Sequence, residues 1–93
     1  MTVFMIVPTE DAERLSLRVT QAFEEKDRFI LPGKQACCVK FSGTTQELSE
    51  VLDLAGTIKE ENCPCPAMIT VVTGYGGFAP MALWEWLQSR IDA

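Results

Sequence analysis

The chain opens on an almost unbroken apolar run, Thr2 to Val7, cut off by Pro8. Apolar residues at consecutive rather than alternate positions predict a strand covered on both faces of its sheet. The period then changes. Ala12, Leu15, Val19, Ala22 and Phe23 recur at the spacing of one helical face. Thr9 is the expected N-cap, with Glu10, Asp11 and Glu13 in the first turn, where unpaired N–H groups favour acids. Arg14, Arg18 and Glu25 fall on other faces, and the charged run from Glu24 to Arg28 ends the helix.

Phe29 to Leu31 and Gln35 to Phe41 read as a hairpin joined by Pro32-Gly33. Pro presets the first central position of a type II turn, and Gly supplies the positive φ of the second. Cys37, Val39 and Phe41 alternate with Ala36, Cys38 and Lys40, so the two sets face opposite ways. Thr44 and Glu47 make a capping box for a second helix, with Leu48, Val51, Leu52 and Ala55 as its stripe and Gly56 as its terminator. Thr57 to Pro66 is a loop. Ala67 to Thr73 is a fourth strand, again apolar on both faces. After Gly74-Tyr75-Gly76-Gly77, Pro80 suits the first position of a last helix whose face carries Leu83, Trp84, Leu87 and Ile91.

The order β-α-β-β-α-β-α over residues 1–93 predicts one α+β domain: a ferredoxin-like βαββαβ sandwich, sheet order 4-1-3-2 and mostly antiparallel, with an additional C-terminal helix. The first two helices would share one face. The other face must also be covered, because the first and fourth strands are apolar on both sides, either by the third helix or by a second subunit.

Composition narrows the trades open to such a domain. At 47% apolar and 23% charged residues, the chain can bury a core without staples. Its net charge of −5 argues against nucleic acid, whose phosphates attract positive patches. No apolar run reaches the roughly 18 residues of a membrane span. The N-terminal run lacks the basic flank of a signal peptide, so the expected location is the cytoplasm, with reduced thiols. There is no His to serve as acid or base near neutral pH and no nucleophile with a recognisable partner, so no enzyme is expected. The loop after the first strand, Val7-Pro8-Thr9-Glu10, carries neither the Cys pair of a metal chaperone nor the Arg of an acylphosphatase-like enzyme. From Gln35 to Lys40 the third strand offers Cys, Val and Lys rather than the exposed aromatics and basic signature of an RNA-recognition domain.

Two loops retain some chemistry. Gly74-x-Gly76-x-x-Ala79 matches the glycine pattern of dinucleotide sites. It precedes the last helix, however, and no second strand follows with the acidic residue that a ribose requires. Dinucleotides are therefore excluded and no cofactor is expected; what remains is a small-ligand or anion rim at Tyr75, Gly76, Gly77 and Phe78. Among the cysteines, Cys37 and Cys38 are adjacent on a strand and cannot easily share a metal. Cys63-x-Cys65 is tighter than a zinc knuckle, leaving only a thiol or weak metal site in a Pro-stiffened loop.

The reading that these exclusions leave is a non-enzymatic binding or assembly module, acting on a protein partner or on a second copy of itself. Its expected surface is the second sheet face or the flank of the last helix at Met81 and Trp86. Trp86 falls off the predicted stripe, and Met and aromatics are enriched where partners bind.

Overall fold

A computed structural model describes residues 2–60, 62–74 and 81–91. It shows a small α+β protein with a four-stranded antiparallel sheet and three helices. The strands are β1 (Thr2–Pro8), β2 (Arg28–Ile30), β3 (Cys37–Phe41) and β4 (Ala67–Val72). The helices are α1 (Ala12–Ala22), α2 (Thr45–Val51) and α3 (Met81–Ile91).

The sheet runs β2-β3-β1-β4, or 4-1-3-2 counted from the β4 edge, and every pairing is antiparallel rather than most of them. The register explains the continuous apolar strands. Phe4 lies opposite Val39 and Val71, and Ile6 opposite Cys37 and Ile69, so these residues share one face. Val3 and Met5, one position out of phase, share the other face with Cys38 and Val72.

On the first face Phe4, Ile6, Cys37 and Val39 pack against Leu15 and Val19 of α1 and Leu48 of α2, with Leu52 just beyond α2. Each large aliphatic side chain buried there contributes about 1.5–3 kcal/mol. Phe41 closes one end, 6.2 Å from Phe4 and 6.1 Å edge-on to Phe23, ring centre to ring centre. On the second face α3 lays Leu83, Trp86 and Leu87 over Val3 and Cys38. The covering element is thus the third helix of the same chain.

Local chemistry follows the sequence closely at two places. Lys34 N donates to Leu31 O at 2.9 Å across Pro32-Gly33, and Gly33 has φ 82°, which closes the type II turn. Thr44 Oγ1 accepts from Glu47 N at 3.1 Å while Glu47 Oε1 accepts from Thr44 N at 3.1 Å, completing the capping box.

Several expectations change. Asp11, not Thr9, caps α1, accepting from Arg14 N at 3.0 Å. Thr9 N is committed to Pro66 O at 2.9 Å, which ties the end of β1 to the start of β4 and delays the helix. The α2 helix stops at Val51, so Val51 and Ala55 are exposed instead of completing the stripe, and Asp53 takes the left-handed conformation at φ 51° ahead of Gly56. On α3, the buried triplet is Leu83, Trp86 and Leu87, with Trp84 only partly buried.

Candidate functional site

One carboxylate organises the loop that follows α2. Asp53 suits a left-handed position, because its short side chain bonds to nearby backbone. Its Oδ1 accepts from the amides of Thr57 and Ile58, both at 3.0 Å. Its Oδ2 accepts from the Lys59 amide at 3.0 Å and from Asn62 Nδ2 at 2.8 Å. The Asn62 amide first, then these backbone N–H groups, hold the Asp53 carboxyl well below the usual carboxylate range. Gly56, at φ 71°, is required where the loop turns back: a Cβ there would sit 2.6 Å from Cys63 C and Pro64 N.

That close approach sets the Cys63-Pro64-Cys65-Pro66 strap against α1. Cys65 N donates to Leu54 O at 2.7 Å. Two arginines one turn apart on α1 take the strap's carbonyls, Arg14 Nη1 reaching Pro64 O at 2.8 Å and Arg18 Nη2 reaching Cys63 O. Arg18 Nη1 also donates to Asp53 O at 2.6 Å. The strap and loop cover Arg18 to 8% exposure, although it lies off the apolar stripe of α1. Sequence periodicity missed it because Arg18 is covered by a loop and not by the sheet. The adjacent core position Val19 was the only signal nearby.

Arg18 pairs with no carboxylate among the described residues; its partners are backbone carbonyls. It lines a cleft of about 420 Å³ between α1 and α2. Gln21, Lys59 and Asn62 supply the other polar groups, and Ala22, Val51 and Leu52 the apolar wall. Asp53 is the one acid in this lining, and its oxygens already serve the loop.

The thiols are dispersed. Cys37 and Cys38 are fully buried on opposite faces, and burial pushes both up to about 11. Cys63 is exposed on the strap whereas Cys65 points into the first core, its thiol also raised by burial against the opposing pull of Arg18 and Arg14. Cys63 and Cys65 therefore lie in different environments. Among the described residues, no group of three or more Cys, Asp or Glu is placed to hold a metal.

The proposed rim at Tyr75, Gly76, Gly77 and Phe78 lies outside the described residues. Met81 is 69% exposed, but Trp86 is only 9% exposed, so the two do not form one open patch. Trp86 packs 6.3 Å from the Phe29 ring, with the Arg90 guanidinium 4.6 Å over its own ring. Of the flank at Met81 and Trp86, the Trp side chain is turned onto the sheet by its position three residues after Leu83 and one before Leu87. Arg90 Nε continues to Lys26 O at 3.0 Å, fastening the end of α3 to the turn before β2.

An edge of the sheet is left open among the described residues. Among the described residues β4 pairs only with β1, and its outer side carries no strand. Met68, on the α3 side, is 55% exposed; Val71, on the α1–α2 side, is 49% exposed. This corrects the expectation that β4 is covered on both faces. No charged residue occurs from Cys63 to Trp84. At the other edge β2 is three residues long, carries Arg28 and follows Glu24, Glu25, Lys26 and Asp27. Natural sheets block edges with short strands and charges of that kind, and β4 has neither.

No helix among the described residues is long and apolar enough to cross a membrane. Comparison of the chain with models of protein families, with curated proteins and with solved structures found no match.

Proposed function

We propose that the protein is a non-enzymatic assembly module on a ferredoxin-like frame, and that it self-associates by pairing β4 with β4 of a second copy. The frame follows from the connections: β1-α1-β2 straddles β3, and β3-α2-β4 straddles β1. The observation that carries the reading is the open β4 edge, six residues long and uncharged, with Met68 and Val71 half-exposed on its two faces. An antiparallel pairing about a two-fold axis is self-complementary, so each outward N–H meets a carbonyl of the same segment.

Charge favours the same place. Copies carrying −5 each repel one another over most of their surface, and the uncharged stretch around β4 is where they approach without that cost. The product is a continuous eight-stranded sheet in which the exposed Met68 and Val71 gain apolar neighbours.

The test is sedimentation equilibrium of the wild type beside Met68→Lys and Val71→Lys. The wild type is expected to dimerise with a dissociation constant on the order of 10 μM, in the range of weak homodimers. Either lysine, placed on an exposed position of the edge, should leave a folded monomer. A wild type that stays monomeric at millimolar concentration, or lysine variants that dimerise as well as it does, would refute the reading.

A further inference from the structure

We propose that the cleft between α1 and α2 binds a small organic carboxylate, its charged end held by Arg18 and Lys59 and its hydrocarbon part by Ala22, Val51 and Leu52. The inference needs no second copy of the chain and stands apart from the β4 edge.

Its first support is the state of Arg18. An arginine buried to 8% exposure is normally matched by a carboxylate, because carbonyl partners satisfy hydrogen bonds without cancelling the charge. Here Nη1 bonds to Asp53 O and Nη2 to Cys63 O, and no carboxylate pairs with the guanidinium among the described residues. The second support is the balance of the lining. Lys59 forms no ion pair among the described residues, and it joins Arg18 against the single acid, Asp53. Asp53 cannot swing to Arg18 without releasing the three amides and the Asn62 side chain that define its loop. Two cations against one acid leave the lining with one net positive charge, and the Lys59 ammonium stands exposed at its edge.

Size and wall chemistry select the class of anion. A volume of about 420 Å³ lies within the range of small-molecule sites. Ala22, Val51 and Leu52 form a wall that an inorganic ion would leave in contact with water, whereas a short alkyl chain would cover it. Gln21 offers an amide donor beside the cations, whereas Asn62 Nδ2 is held by Asp53. A single negative charge on a short hydrocarbon matches all three features.

The probe is sodium butyrate, titrated into the ¹⁵N-labelled protein at constant ionic strength, with sodium chloride and inorganic phosphate in parallel. Butyrate should give saturable shifts confined to the amides of Ala22, Val51 and Lys59 and the side chain of Asn62, with a dissociation constant on the order of 1 mM. Phosphate should bind at least about tenfold more weakly, since it leaves the wall uncovered. Lys59→Glu, which keeps the backbone amide used by Asp53, should weaken butyrate by about tenfold or more while the rest of the spectrum is unchanged. Val51→Asp gives a second, exposed position for the same loss. Shifts that do not saturate or that chloride reproduces would overturn the proposal. So would phosphate binding as tight as that of butyrate, or full affinity retained in Lys59→Glu.

Discussion

Asp53 shows how much one side chain can decide. It ends α2, takes a left-handed backbone and gathers three amides and an Asn side chain, and its own carbonyl receives Arg18. Because its folded pKa is depressed, its stabilisation is complete above the ordinary carboxylate value of about 3.9 and is lost as pH falls towards and through the folded value. Asp53→Asn tolerates the same backbone but cannot accept from all four donors. Its urea midpoint at pH 7 should lie below that of the wild type, and the gap should narrow steadily below about pH 4. A gap that stays constant into acid would show that the charge contributes nothing. The thiols titrate in the opposite sense. Cys37 and Cys38, raised to about 11, stay neutral in the folded chain, so their contribution is intact below the ordinary thiol value near 9.0 and lost as pH rises towards 11. Intact-mass analysis after brief iodoacetamide treatment near pH 7.5 should show one adduct, on Cys63, the exposed thiol. Rapid addition at Cys37 or Cys38 would contradict their burial.

At the scale of elements, local signals were legible wherever a few neighbouring residues complete the interaction. Pro32-Gly33 and Thr44 with Glu47 are of this kind. The first core was also readable, since Leu15, Val19 and Leu48 recur at the helical period. What could not be read depends on residues distant in the chain. The burial of Arg18 comes from a strap 45 residues away, and the N-cap moved from Thr9 to Asp11 because Pro66 claims the Thr9 amide. Trp86 is the most informative case. Its indole Nε1 is buried without a hydrogen-bond partner among the described residues, a cost offset by its contacts with Phe29 and Arg90. Trp86→Ala should destabilise the fold by about 3–5 kcal/mol, the usual consequence of emptying a large aromatic site. Chemical denaturation measures this. A loss under about 1 kcal/mol would mean that α3 does not seat Trp86 on the sheet.

For the whole molecule, the sheet order was accessible because two β-α-β connections of this length leave few arrangements. The role of β4 was not. Its apolar continuity implied cover on both sides, and yet α3 and the first two helices leave Met68 and Val71 at the margin. Hydrophobic patterning records that a strand avoids water. It does not record whether the same chain or another supplies the shelter. The contrast between the short, charge-flanked β2 and the uncharged β4 supports the second source, and assembly through β4 is the central claim.

Residue-resolved amide hydrogen exchange at two protein concentrations, one well above and one well below the expected dissociation constant, tests that claim most directly. If β4 pairs with its copy, alternate amides from Ala67 to Val72, those pointing away from β1, will be protected in the concentrated sample and will exchange quickly on dilution, while β1 and β3 remain unchanged. Exchange at these amides that is equally fast at both concentrations, or concentration-dependent protection that appears on α3 instead, would contradict it.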